Sequence, residues 1–265
     1  MLNIAGVHKV FNAGTVNEKI ALNNVRLQVK SGEFITVIGS NGAGKSTLMN
    51  IISGGMLPDT GSISIDGKDV TRWGEHQRAG LIGRVFQDPM AGTAPNMTIE
   101  ENLAIALARG EKRKLSFGVN NQKRELFREQ LKLLDQGLEN RLKTKVGFLS
   151  GGQRQALSLL MATFTEPKIL LLDEHTAALD PKRAQLIVEL TEKIVERHKL
   201  TTIMVTHNMD QALNMGNRLL MLHDGGIILD IPDEKKRTMK PQDLLKAFEA
   251  ARGGETFSED RFLLT

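Results

Sequence analysis

The segment EFITVIGSNGAGKSTLMNIIS, residues 33–53, constrains the fold more than any other part of the chain. A short, continuous apolar run ends at Gly39, which is the pattern of a parallel strand buried on both faces. A helix is expected from about Lys45 to Ser53. Between them Gly39, Ser40, Asn41, Gly42, Ala43, Gly44, Lys45 and Ser46 match G-x-x-x-x-G-K-[ST], and Thr47 follows. The three glycines let backbone N–H groups curl around phosphates. Lys45 is placed to reach the β- and γ-phosphates of a nucleotide, and the Ser46 hydroxyl to meet Mg²⁺. Strands alternating with helices along the chain argue an α/β fold with a largely parallel sheet.

The rest of the chain agrees. The first thirty residues alternate in polarity, as in NIAGVHKVF and ALNNVRLQV, and read as two antiparallel strands. SISIDG and LIGRVFQ are further strand candidates. Thr98 and Glu101 form a capping box at the start of a helix, and Gly110 is placed to end it. A charged block follows, with Leu126, Leu131, Leu133, Leu134 and Leu138 at helical period. KILLLD and TTIMVT are buried strands around a helix expected from about Lys182 to His198. RLLMLHDGGIILDI is a hairpin turning at Asp224 to Gly226. From Pro241 a helix puts Leu244, Leu245 and Phe248 on one side, packed on the domain.

Two more segments carry chemistry. ILLLDEHT, from Ile169 to Thr176, drives four apolar residues into two acids. Asp173 at such a strand end holds Mg²⁺ directly or through water, and Glu174 is positioned as general base for an attacking water. FLSGGQRQALSLLMA, from Phe148, starts a second helix with a glycine pair. Helix starts of that kind bind anions, so the chain has two where a single nucleotide needs one.

LSGGQ, Leu149 to Gln153, is the discriminating segment. With the phosphate loop before it and the acid-ended strand after it, in that order and spacing, the chain resembles the ATP-binding subunits of ABC transporters over nearly its whole length. The resemblance implies a P-loop NTPase core with a largely parallel sheet, an antiparallel β subdomain and a helical subdomain inserted at about residues 95–154. The ATPase domain would span 1–240 and a helical tail 241–265. It implies ATP and Mg²⁺ as cofactors. Gln87 matches the glutamine that contacts Mg²⁺ and the attacking water and lies against the permease. Asp180, in Ala178–Leu179–Asp180, matches the D-loop. His207 matches the histidine that senses the γ-phosphate. Phe11 stands where an aromatic stacks on adenine, or is simply core. His175 departs from the proline usual after the Asp–Glu pair, and no catalytic role is attached to it.

The family also explains the second anion site. Ser150, Gly151, Gly152 and Gln153 would close on the γ-phosphate held by a second copy, making a homodimer with two shared ATP sites. Partners would be integral-membrane permease subunits and an extracytoplasmic solute-binding protein, with the ATPase peripheral on the cytoplasmic side. The loop FQDPMAGTAPNMTIEENL is similar to uptake ATPases for amino-acid-like solutes.

Composition excludes other classes. The chain has no cysteine, so neither disulfides nor thiolate metal sites are available. No apolar run approaches the roughly 20 residues of a membrane span, and the start has no secretory pattern, so a cytosolic protein is expected. Net charge is +4, compatible with a nucleic-acid or acidic-lipid partner but demanding neither. Aromatics are 4% and Tyr is absent, which argues against a base-stacking platform, and no nucleic-acid partner is expected. The basic clusters Lys112–Arg113–Lys114 and Lys235–Lys236–Arg237 read as solvated faces, or as contacts to anionic lipid. The alternative is a soluble ABC-type ATPase of translation or DNA repair. Such proteins usually carry two ATPase halves or a long coiled-coil insert, and this chain has one set of motifs. A GTPase would need N-K-x-D, which is not found.

Overall fold

The computed structural model describes residues 1–109 and 118–251. In chain order it contains β1 (Leu2–Phe11), β2 (Lys19–Val29), β3 (Phe34–Gly39), α1 (Lys45–Ser53), β4 (Thr60–Ile65), β5 (Lys68–Asp69), α2 (Glu75–Arg78) and β6 (Ile82–Val85). Then come α3 (Ile99–Leu107), α4 (Asn121–Lys132), α5 (Gly151–Thr163), β7 (Ile169–Asp173), α6 (Pro181–His198) and β8 (Thr201–Val205). The last are α7 (Met209–Asn214), β9 (Arg218–His223), β10 (Gly226–Pro232), α8 (Asp233–Lys236) and α9 (Pro241–Ala251). The chain divides into two compact units, one from Met1 to Arg78 plus the chain from Thr201 on, the other from Ala79 to Leu200.

The first unit has two sheets. One is antiparallel, in the order β2-β1-β4-β5. In the other, β3 lies parallel between β8 and β9, and β10 pairs antiparallel with β9. Strand β3 is buried at every position, as its unbroken apolar run requires. Helix α1 spans the expected residues and ends at Gly54 in the left-handed region. Its C-terminal carbonyls are capped from a distance. The fully buried Arg78 donates to Ile51 O and Ile52 O at 2.7 Å, and to Val70 O at 2.6 Å. A cation at a helix C-terminus is the favourable sign for the dipole, and burial alone lowers its pKa.

Helix α9 packs as expected. Leu244 and Phe248 join Ile38, Ala212, Leu219 and Met221 in one buried cluster, and Leu245 is half-buried. One expectation fails here. Lys235 and Arg237 are exposed, but Lys236 is buried, its ammonium donating to Met215 O and to Gly216 O at 3.0 Å. Successive residues at the end of a helix point in different directions, so a basic triplet is not a single face. The cluster at Lys112–Arg113–Lys114 lies outside the described residues.

In the second unit β6 and β7 run parallel, with Val85 opposite Leu172. Helix α3 starts with the capping box of Thr98 and Glu101. It ends at Leu107, capped by Ala108; Gly110 lies outside the described residues. In the charged block Leu131, Leu134 and Leu138 are buried and Leu133 is half-buried, whereas Leu126 is exposed. The core position there belongs to Phe127, edge-on to Phe164 at 5.9 Å. Among the described residues no helix is long and apolar enough to cross a membrane.

Candidate functional site

In the first unit the phosphate loop bridges β3 and α1. Gly39 has φ 153° and Gly44, the N-cap of α1, has φ 102°. Neither tolerates a side chain. A Cβ on Gly39 would stand 2.2 Å from Leu222 O, and one on Gly44 2.3 Å from Ala21 O. Because Gly44 is the cap, no side chain closes the first turn of α1. The positive end of the helix therefore faces the loop as an anion site. Lys45 is buried and its ammonium donates to Gly39 O at 2.7 Å and Ser40 O at 3.1 Å, which fixes the loop's curl. Ala43 is buried, while Asn41, Gly42 and Ser46 are exposed and Thr47 is half-buried.

Two neighbours of the loop were differently legible. His207 follows β8, the strand beside β3, and is half-buried; Thr206 N donates to Val37 O at 3.1 Å. It thus leaves the same carboxyl edge of the sheet as the phosphate loop, where open α/β sheets bind ligands. Phe11 ends β1 opposite Lys19, half-buried. Lys19 had given no signal: its ammonium stands 2.8 Å from where a Cβ of Gly42 would be.

In the second unit Asp173 ends β7, and Gln87 is exposed two residues beyond the end of the parallel β6. Both leave one edge of that strand pair. Glu174 has φ 47°, left-handed backbone that is uncommon outside glycine, in a turn closed by Ala177 N on Glu174 O at 2.9 Å. His175 is buried, with Nε2 and the Thr191 hydroxyl of α6 3.0 Å apart. Burial pushes its pKa down to about 4. It is thus a neutral strut between the acid turn and α6.

Sequence reasoning also missed the partner of Asp173. The Arg84 guanidinium, from β6, meets Asp173 Oδ2 at 2.9 Å, with the two side chains only 13% and 16% exposed. The same guanidinium lies over the Phe86 ring at 4.6 Å. The loop after Gln87 is held by the buried Asn102, whose side chain exchanges hydrogen bonds with Ala94 N at 2.8 Å and Ala94 O at 3.0 Å.

The start of α5 is built differently from that of α1. Ser150 is its N-cap, accepting from Gln153 N at 3.3 Å, while Gln153 Oε1 accepts from Ser150 N at 3.2 Å. This is a complete capping box. The glycines also serve packing: a Cβ on Gly152 would lie 3.2 Å from Arg183, and one on Gly151 3.5 Å from Leu179. Asp180 caps α6 through Arg183 N at 3.1 Å and pairs with the Arg183 guanidinium at 3.3 Å. Ser150, Gly152, Asp180, Lys182 and Arg183 line a groove of about 550 Å³.

The sequence matches the family described as "ABC transporter" over residues 22–177, more than half of the chain. The chain belongs to the ABC transporter family. It is 44% identical to the "Tyrosine transport ATP-binding protein" of Clostridioides difficile, across 95% of this chain and 100% of that one. It is 35% identical to the "Choline transport ATP-binding protein OpuBA" of Bacillus subtilis, across 88% of this chain and 58% of that one. Among solved structures it is similar to the ATP-binding cassette MJ0796, described as a dimeric post-hydrolysis state bound to ADP and Pi. The TM-score is 0.75 at 32% identity, covering 88% of this chain and 98% of that one. The fold is that of a P-loop NTPase cassette, and the chain is an ATP-binding, ATP-hydrolysing subunit of the ABC transporter type.

Proposed function

We propose that this ABC ATPase powers an importer of amino-acid-like solutes, working as a homodimer on separate permease subunits at the cytoplasmic face of the membrane. An extracytoplasmic binding protein would deliver the solute. The observation that carries this reading is the end-to-end match with a tyrosine transport ATP-binding protein. The dimer rests on the dimeric state of the similar MJ0796 cassette.

Within that reading, residues 39–47 cradle the phosphates and Phe11 stacks on adenine. Ser46, Gln87 and Asp173 hold Mg²⁺. The donor chemistry fits: these are hard oxygens, and among the described residues no cluster of three or more His, Cys, Asp or Glu could cage a metal. Mg²⁺ in nucleotide sites takes one or two carboxylates, here Asp173, plus phosphate oxygens and water. When bound it supplies neutralising charge on the phosphates. Glu174 orients and deprotonates the attacking water, and His207 senses the γ-phosphate. Ser150, Gly151, Gly152 and Gln153 of the second copy complete the site, with Asp180 at the interface between copies.

Replacing Glu174 with Gln keeps shape and loses the base. Turnover should fall roughly a hundredfold or more, the size of a general-base effect, while ATP binding persists and an ATP-bound dimer accumulates. Turnover at the parent rate would remove Glu174 from the role. Uptake of labelled amino acids in cells lacking this subunit tests the solute class; loss of quaternary-amine uptake alone would overturn it.

A further inference from the structure

We propose that Arg84 is a built-in counter-ion of the magnesium acid: it holds Asp173 between catalytic cycles and must yield that carboxylate, in whole or part, when Mg²⁺ arrives with ATP. The inference rests on the reading of Asp173 as a Mg²⁺ ligand and adds a positioning residue to it.

Strand geometry forms the pair. Arg84 and Asp173 lie on adjacent parallel strands, with Arg84 opposite Leu171, two residues before Asp173. Side chains two apart on a strand share a face, and the long guanidinium stem covers the offset. The Phe86 ring, two residues on and just past the end of β6, supports the cation from its own face at 4.6 Å. The contact is a 2.9 Å charge-assisted hydrogen bond to Oδ2, between side chains 13% and 16% exposed.

A carboxylate this enclosed is costly to leave without a counter-charge. Mg²⁺ can be that counter-charge only while Mg·ATP is bound. In an ATPase that releases its product each cycle, Asp173 needs another cation for the remaining time, and Arg84 is in place to be it. Arg84 then competes with Mg²⁺ for the same carboxylate.

The competition gives a sign that a merely structural arginine would not give. Nucleotide binding is measured by fluorescence of a labelled ATP analogue, first in EDTA and then across a Mg²⁺ titration, for the parent chain, Arg84→Met and Arg84→Lys. In EDTA the three should bind alike, because the phosphate loop is untouched. The Mg²⁺ concentration at half-effect should fall in Arg84→Met by roughly fivefold to tenfold, as expected for removing one charge-assisted hydrogen bond. Arg84→Lys keeps the charge without the fork and should lie between. Thermal melts give a second readout. Arg84→Met should lower the melting temperature without nucleotide more than with Mg·ATP, so that the ligand-induced shift widens.

A midpoint unchanged or raised in Arg84→Met, or melting temperatures lowered equally with and without Mg·ATP, overturns the proposal. Should Arg84→Met not fold, Arg84→Gln, neutral but still a donor, is read by the same criteria. Failure of the parent chain to bind nucleotide at all would instead strike the reading of the site, and failure of Asp173→Asn to lose the Mg²⁺ response would strike the assignment of Asp173.

Discussion

The starts of α1 and α5 look alike in sequence and are built on opposite principles. Each has a glycine pair or near-pair opening a helix after a loop. At α1 the cap is Gly44, which brings no side chain, and the loop is shaped by Lys45 on Gly39 O and Ser40 O. At α5 the cap is Ser150, and Ser150 and Gln153 bond reciprocally. The first start is held open by backbone strain and a cation. In the second, Gln153 N and Ser150 N are paired by the helix start's own side chains. In the proposed function the first start holds the phosphates of its own chain's nucleotide, and the second adds to a site held by another copy. The glycines differ in the same way: Gly39 and Gly44 answer to positive φ and carbonyls, those of the signature to the side chains of Leu179 and Arg183.

The sharpest break in the comparison is Gly44→Ala. The residue combines φ 102° with a Cβ placed 2.3 Å from Ala21 O. Strain and overpacking together should cost on the order of 3 kcal/mol, read by denaturant melts, and nucleotide binding should be lost. Next is Lys45→Ala, which should weaken ATP binding roughly a hundredfold, as for loss of a charged hydrogen-bonding group, and leave α5 intact. Ser150→Ala should cost about 1 kcal/mol of stability through the lost cap and leave ATP binding by the isolated chain within about twofold of the parent. The smallest effect is Gly152→Ala. Its Cβ meets the flexible Arg183 side chain at 3.2 Å rather than backbone, so melts should move by less than about 1 kcal/mol. If Gly152→Ala proved as damaging as Gly44→Ala, the distinction between the two starts would fail.

What could be read from sequence follows the range of the interactions. The bounds of α1, the box of Thr98 and Glu101, and the parallel strands ending at Gly39 and Asp173 are set by neighbouring residues, and local pattern reports them. Gly39 and Gly44 were legible because the motif demands glycine, although the carbonyls that enforce it, Leu222 O and Ala21 O, were not. Contacts between distant segments were silent. Arg84 reads as one polar residue in a strand, yet it neutralises Asp173 89 positions away. His175 reads as an odd residue after two acids, and only the fold shows it against Thr191. Lys236 looked solvated because a charge run suggests a face, and burial against the carbonyls that follow α7 leaves no local trace. The left-handed backbone of Glu174 is likewise imposed by the turn rather than by its own preference.

The central claim is that the two helix starts serve one nucleotide from different copies of the chain. Lys45→Ala damages the first start, and Ser150→Arg blocks the second. Alone, each variant makes dimers in which both sites are damaged. In a mixed dimer the two lesions fall on one site, and the other keeps an intact Lys45 and an intact Ser150. Differently tagged variants are therefore mixed in the assembled transporter, mixed dimers are isolated through both tags, and ATP occlusion is measured. The account predicts that occlusion, absent from either variant alone, returns at one site per mixed dimer. No occlusion in confirmed mixed dimers would contradict it, because a site built within a single chain would carry a lesion in every copy.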